Sequence, residues 1–358
     1  MNYIRRENIG DIGYADGKCV LLRNGIQQEK DTAVFDFRTA DEKELSAPLS
    51  IFINVTDNCQ LNCGFCFYPY RSYGRVMEKE TADAVCNYIE KHIVYEIDIL
   101  GGEPLHETAV DLTIYLLQKL YQIDCLQKCY LTTNGVNRAG MEKLLNEAYS
   151  EKLQITVSLQ TYHRMDQKNG CIQSIELLEK RKIPYTIASV VSRQSTSFQA
   201  INELLNQLQY CQEWRWYFPN LYISNPLFEA KIPRMEEYQA WLAEERKLVK
   251  LPIAESLPPA YNEEYAKPPK DAWERMRRRC SGMGRKMEIL PDGSVIPCAI
   301  LPETYISGKI TDPEFVFQPM PERWNECAGC ESSGHCLYCP AAKKGKRHCP
   351  EQEKQGGI

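Results

Sequence analysis

The sequence predicts an α/β protein: a partial (β/α)6 barrel of the TIM type, with a small N-terminal β-rich cap before it and a cysteine-rich unit after it. Three observations carry this reading. Between residues 49 and 220, short apolar runs alternate six times with segments of helical spacing. That order implies parallel strands joined by crossovers. Residues 1–48 are polar and mixed, with strand-like pieces bounded by Asp16–Gly17 and Asn24–Gly25. Finally, 7 of the 16 cysteines fall within residues 280–349.

The elements follow in order. In the cap, Cys19–Leu22 and Val34–Phe37 read as strands. About 48 residues is short for a complete peptide-recognition module. The six core strands are expected at Ile51–Val55, Tyr95–Leu100, Lys128–Thr132, Leu153–Ser158, Pro184–Val191 and Trp214–Phe218. Helical spacing fills the gaps; one such helix carries Ala82, Val85, Cys86 and Ile89 on one side. Six units fall short of the eight of a closed barrel. A partial barrel fits that count, and an open doubly wound sheet is the alternative. The expected boundaries are 1–48 for the cap, 49–223 for the barrel, 224–270 for a proline-punctuated connector with one amphipathic helix, and 271–358 for the cysteine-rich unit. That last unit opens with a hairpin, Met287–Leu290 and Val295–Ala299 around Pro291–Asp292–Gly293–Ser294.

Composition excludes several classes. With 43% apolar and 25% charged residues, the chain reads as globular and is not expected to be disordered. A net charge of −5 disfavours a sequence-independent nucleic-acid binder. No apolar run approaches a membrane span, and the N-terminal stretch lacks the apolar core of a secretory signal. The expected location is cytoplasmic. There, cysteines in such numbers point to metal thiolate chemistry rather than disulfides. Six scattered cysteines (Cys19, Cys86, Cys125, Cys129, Cys171 and Cys211) read as small buried hydrophobes.

Cys59, Cys63 and Cys66 stand in a C-x3-C-x2-C loop directly after the first core strand. Three thiolates in one tight loop hold three irons of a [4Fe–4S] cube and leave the fourth open to an outside ligand. A structural zinc site takes four protein ligands and fits this loop poorly. The loop resembles that of the radical S-adenosylmethionine (radical SAM) superfamily, with Phe65 at the aromatic position before the last cysteine. Gly101–Gly102–Glu103–Pro104, at the end of the second strand, is similar to the family segment that binds the amino group of the cofactor's methionine. The chemistry agrees: glycines permit close backbone approach, and a carboxylate pairs with an ammonium. Leu131–Thr132–Thr133–Asn134–Gly135 matches a further family segment. Ser158 ends the fourth strand, where the family places a polar residue near the ribose. The family often continues Ser-Leu-Asp-Gly there; this chain has Ser158–Leu159–Gln160–Thr161, with Gln160 in place of the acid. Phe65, Gly101, Gly102, Glu103, Pro104, Asn134 and Ser158 are therefore the cofactor-binding residues that the resemblance implies.

On spacing alone, Cys280, Cys298, Cys327, Cys330, Cys336, Cys339 and Cys349 suit either iron–sulfur clusters or zinc. Beside a radical SAM core, the pattern resembles the SPASM domain, which implies two auxiliary [4Fe–4S] clusters. Carried over by order, Cys280, Cys298 and Cys339 hold the first, and Cys327, Cys330, Cys336 and Cys349 hold the second. Two departures stand out. Only two residues separate Cys336 from Cys339, where the family usually has three. No further cysteine lies between Cys280 and Cys298, so the first auxiliary cluster is left with an open iron or a non-cysteine ligand.

The resemblance implies reductive cleavage of S-adenosylmethionine to a 5′-deoxyadenosyl radical and hydrogen abstraction from an unactivated C–H bond. It implies an oxidative modification, a crosslink or ring, of a ribosomally made precursor peptide, delivered by a separate recognition protein. An electron donor such as flavodoxin or ferredoxin is the other expected partner. The alternatives are an anaerobic sulfatase-maturating (formylglycine-generating) enzyme and a peptide epimerase. The catalytic base stays unassigned, with Asp166, Glu213 and Tyr217 as its candidates. Trp214, Trp216, Tyr217 and Phe218 are candidates for the substrate channel, with core packing as the simpler role.

Overall fold

A computed structural model describes residues 3–7, 10–15, 18–23, 26–27, 38–39, 50–66, 68, 70, 73–92, 94–160, 165–193, 199–218, 231–256, 286–298 and 305–318. The cap forms a five-stranded sheet of β1 (Tyr3–Glu7), β2 (Gly10–Ala15), β3 (Lys18–Arg23), β4 (Ile26–Gln27) and β5 (Arg38–Thr39), in the order β4-β3-β2-β1-β5. β1 to β4 form an antiparallel meander, and β5 returns parallel to β1. Val34–Phe37 lies outside the described residues.

The barrel strands are β6 (Ser50–Asn54), β7 (Glu96–Leu100), β8 (Lys128–Thr133), β9 (Leu153–Ser158), β10 (Tyr185–Val190) and β11 (Cys211–Tyr217). Helices α1 (Lys79–Lys91), α2 (Val110–Leu120), α3 (Arg138–Glu147), α4 (Met165–Lys180) and α5 (Gln199–Leu205) connect them. All neighbouring pairs from β6 to β11 are parallel. This is the predicted partial barrel.

The sheet is larger than the sequence predicts. A seventh parallel strand, β12 (Ile253–Ser256), pairs with β11 after helix α6 (Met235–Leu248). It lies in the stretch read as a connector. Pro252 masks it in the sequence, yet a proline at the start of an edge strand costs no ladder bond. On the other edge, β13 (Lys286–Ile289) runs parallel to β6, followed by the antiparallel strands β14 (Ser294–Ile296) and β15 (Gly308–Lys309). The hairpin expected from Pro291–Asp292–Gly293 is present. Gly293 takes a positive φ of 79°, and the Asp292 carboxylate accepts from Ser294 N at 3.0 Å.

Strand periodicity sorts the side chains. Ile51, Ile53, Ile97, Ile99, Leu131 and Val157 are fully buried on the outer face against the helices. Each contributes roughly 1.5–3 kcal/mol of burial. The alternate positions face inward and are half-buried and mostly polar: Glu96, Asp98, Tyr130, Thr132, Thr156 and Ser158. The inside of this barrel is a polar, partly open face rather than a packed core.

Candidate active site

The C-terminal ends of β6, β7, β8 and β9 bring the predicted segments together. The cysteine loop leaves β6 through Val55, Thr56 and Asp57. A short antiparallel return at Arg75–Met77 braces it: Asp57 N donates to Arg75 O at 2.8 Å, and Met77 N donates to Val55 O at 2.9 Å. Cys59, Cys63 and Cys66 are all half-buried. Leu61 N points at Cys59 Sγ at 3.4 Å, and Asn134 Nδ2 lies 3.7 Å from the same sulfur. Donors to a ligating sulfur tune an iron–sulfur centre.

The Gly101–Pro104 turn lies directly under this loop. Gly102 N donates to Thr56 O at 2.6 Å, and Glu103 N donates to Asn58 O at 2.8 Å. Neither glycine tolerates a side chain. A Cβ on Gly101, whose φ is +126°, would stand 2.5 Å from Thr56 O, and one on Gly102 would stand 2.1 Å from Asn58 O. Close backbone approach is thus the reason for both glycines.

Glu103 is 2% exposed. Its Oε1 accepts from Thr133 Oγ1 at 2.6 Å and from Leu105 N at 3.0 Å; its Oε2 accepts from Asn134 N at 2.7 Å. Burial raises its pKa against the pull of these three donors. A carboxylate has about four acceptor positions, so one on Oε2 remains for an ammonium. The carboxylate therefore also ties the second-strand turn to the third-strand segment. The role of Thr133 was hidden in sequence, although the residue stands inside a matched segment.

Asn134 faces the cysteine loop. Its Nδ2 donates towards Cys59 Sγ, and its Oδ1 accepts from Gln60 Nε2 at 3.1 Å and from Val136 N at 2.9 Å. Gln160 is 1% exposed: it donates to Ser158 Oγ at 2.8 Å and accepts from Val190 N at 2.9 Å. An aspartate could not donate to Ser158, so the amide is what orients that hydroxyl here. Pro104 is buried, and Phe65 is half-buried in the loop's turn.

Sequence reasoning missed the group that braces the loop. Asp57 is fully buried; its carboxylate accepts from Tyr68 OH at 2.7 Å and from Arg75 Nε at 2.6 Å. Burial, and then the neighbouring Asp57, push the Tyr68 phenol well above its ordinary range, so it stays a donor. It also missed Asp98, which burial and then Glu96 raise to about 7, with Lys286 opposing. Alternation along β7 was the available signal for Asp98.

Other expectations resolve as follows. Trp214 and Trp216 are fully buried on the outer face, stacked edge to face at 4.9 Å, with Trp214 Nε1 donating to Ser189 Oγ at 2.9 Å. Phe218 is buried against Tyr238. These three belong to the core, and only Tyr217 sits half-buried on the inner side. Glu213 is ion-paired with Arg215. Cys86, Cys125, Cys129, Cys171 and Cys211 are buried, and burial pushes four of these thiols, all but Cys125, up to about 12. Cys298 is half-buried at the end of the β14 segment. Cys280, Cys327, Cys330, Cys336, Cys339 and Cys349, and the side chains of Cys19 and Asp166, lie outside the described residues. No described helix is long and apolar enough to cross a membrane.

Among the described residues, no three His, Cys, Asp or Glu side chains converge on a single metal ion. A four-iron cube does not ask for that, because each thiolate takes a different iron. The donor set fits such a cube: three half-buried thiols in one loop, with an N–H and an amide aimed at Cys59 Sγ.

Residues 53–190 match the family model described as the Radical SAM superfamily. Curated relatives include the GTP 3′,8-cyclase of Aquifex aeolicus, 29% identical over 120 residues, which are 32% of this chain and 37% of the relative. The GTP 3′,8-cyclase of Limosilactobacillus fermentum is 32% identical over 110 residues, 29% of this chain and 32% of that one. The chain thus spans about a third of the length of the curated relatives it matches. Among solved structures, Streptococcus suis SuiB bound to precursor peptide SuiA superposes with a TM-score of 0.71 at 15% identity, over 97% of this chain and 96% of that one. Native anSMEcpe with bound AdoMet gives 0.56 at 17% identity, over 81% and 88%. These likenesses extend the shared fold well beyond the matched domain.

Proposed function

We propose that this radical SAM protein cleaves S-adenosylmethionine and oxidatively modifies a ribosomally made precursor peptide, forming a crosslink or ring. The observation that carries the first part is the lacing of the cysteine loop to the Gly101–Pro104 turn by Gly102 N and Glu103 N. It sets three thiols beside a buried carboxylate that keeps one free acceptor position.

In this reading Cys59, Cys63 and Cys66 hold a [4Fe–4S] cluster. When bound, that cluster supplies the electron that splits the cofactor into methionine and a 5′-deoxyadenosyl radical, which takes a hydrogen atom from the substrate. The chain's own residues bind and orient. Glu103 and the Gly101–Gly102 backbone take the methionine end, Ser158 stands toward the ribose, and Asn134 donates to Cys59 Sγ. Phe65 and Pro104 shape the walls. Cys280, Cys298 and Cys339, then Cys327, Cys330, Cys336 and Cys349, hold two auxiliary [4Fe–4S] clusters.

Support for a peptide comes from the likeness to SuiB bound to SuiA, which runs over nearly the whole chain. A solved structure of anSMEcpe also holds a peptide, Cp18Cys, at a TM-score of 0.52. The curated cyclases act on GTP, but their likeness covers only about a third of this chain.

Iron per chain after anaerobic reconstitution tests the cluster content. About 12 iron, falling to about 8 in the Cys59→Ala/Cys63→Ala/Cys66→Ala variant, is the expected outcome. About 4 iron with stoichiometric zinc would remove the auxiliary clusters. Short peptides encoded beside the gene, incubated with dithionite and S-adenosylmethionine, test the reaction. Loss of two hydrogen atoms per peptide supports a crosslink, and an unchanged mass with an inverted centre supports epimerisation. Formylglycine in a Cys peptide supports the sulfatase-maturating alternative.

A further inference from the structure

We propose that Arg75 is a positioning residue: through two carboxylates, it fixes where the Cys59–Cys66 loop stands relative to the hairpin that leads into Cys298. The inference rests on the reading of those cysteines as cluster ligands.

Arg75 joins segments more than two hundred residues apart. Its Nε donates to Asp57 Oδ2 at 2.6 Å, and its Nη1 donates to Asp292 Oδ2 at 3.0 Å. Asp57 is fully buried and stands two residues before Cys59. Asp292 sits in the turn between β13 and β14, six residues before Cys298. The planar fork of a guanidinium addresses two carboxylates at fixed angles, which an ammonium does not. The surroundings hold it in plane: the guanidinium carbon lies 4.8 Å from the Tyr73 ring centre and 5.7 Å from that of Tyr70. Tyr68 and Tyr70 pack with Leu290 and Ile296 of the hairpin, and Cys66 packs against that same cluster. The contact is therefore apolar as well as ionic, and it includes a thiol of the loop.

Two details separate this from an ordinary surface ion pair. Among the described residues, no acceptor meets the buried Arg75 Nη2. The two carboxylates are, among the described residues, the acceptors that meet the guanidinium. Burial opposes the charge, but Asp57 and Asp292 together hold Arg75 above its ordinary range, so it stays a cation at every working pH.

The test uses Asp292→Asn in the full chain, reconstituted anaerobically. This variant keeps Oδ1 for Ser294 N and replaces Oδ2 by an amide that cannot accept from Arg75. Its site is at the surface, so folding is not at stake. Amide hydrogen exchange is expected to rise about tenfold in residues 55–66 as well as in 286–298, with β8 and β9 unchanged. Arg75→Lys is expected to do the same. The electron paramagnetic resonance signal of the reduced cluster is expected to respond differently to added S-adenosylmethionine in both variants. A rise confined to the hairpin, with an unaltered resonance response, would overturn the proposal. If the wild type takes up no iron, the cluster reading fails by itself. The exchange pattern then still decides whether Arg75 couples the two segments.

Discussion

The two faces of the barrel sheet are made from the same strands and do opposite work. On the outer face, aliphatic and aromatic side chains are sealed under helices: Ile97 and Ile99 of β7, Leu131 of β8, Val157 of β9 and Trp214 of β11 are all fully buried. On the inner face, residues one position away stay half-buried and polar: Asp98, Tyr130, Thr156 and Ser158. A closed eight-stranded barrel fills its inside with layers of side chains. Here eight parallel strands, β6 to β13, and two antiparallel edge strands form an open sheet, and its inner side carries half-buried polar residues. Apolar burial resides on one side of each strand and half-buried polar groups on the other.

The sharpest test of that division is Trp214→Ala. It removes an outer-face indole that stacks on Trp216 and donates to Ser189 Oγ. A loss of about 3–5 kcal/mol in denaturant unfolding is expected. A loss no larger than that of an inner-face substitution would break the comparison. Leu131→Ala, from the same face, is expected to cost about 2–5 kcal/mol.

Asp98→Asn probes the inner face and has the opposite sign. The folded Asp98 carboxyl titrates near 7 because burial, and then Glu96, disfavour its charge. Unfolded, it titrates near about 4. Between those values the folded chain holds a proton that the unfolded chain has released. The favourable contribution is thus complete below about 4 and is lost as pH rises through about 7. Thermal unfolding of the two proteins should coincide near pH 4. The Asn variant should become the more stable one by on the order of 2 kcal/mol at pH 8, after allowance for partial exposure. A gap that does not change with pH would show that Asp98 is not held protonated.

The smallest stability effect is expected for Ser158→Ala, below about 0.5 kcal/mol, because the hydroxyl's partner is the Gln160 amide at the open end of the strand. Under the proposed function, S-adenosylmethionine affinity is expected to fall instead, measured by equilibrium dialysis of the reconstituted protein. Gly102→Ala sharpens the same point from the other direction. A Cβ 2.1 Å from Asn58 O forces the loop away. Cofactor cleavage, measured as 5′-deoxyadenosine released, should fall below detection while the outer-face core stays folded.

The sequence by itself determined the repeating strand and helix units, the thiol loop at the end of the first barrel strand, and the segments that meet beneath it. These are local signals: period-2 burial in Ile51 and Ile53, fixed cysteine spacing, and glycines whose lack of a side chain is a property of one position. Tertiary structure alone decided what lies far apart in the chain. The short strand Ile253–Ser256 exists because β11 offers it a free edge, not because its own residues demand it. Arg75 gains its meaning from Asp57 and Asp292, and the latter stands 217 residues away. Glu103 is positioned by Thr133 and Asn134 from another strand. Asp98 is a plain inward-facing acid until burial and Glu96 shift its proton affinity. Periodicity is written along the chain, whereas electrostatic environment depends on which distant groups the fold brings within a few ångströms.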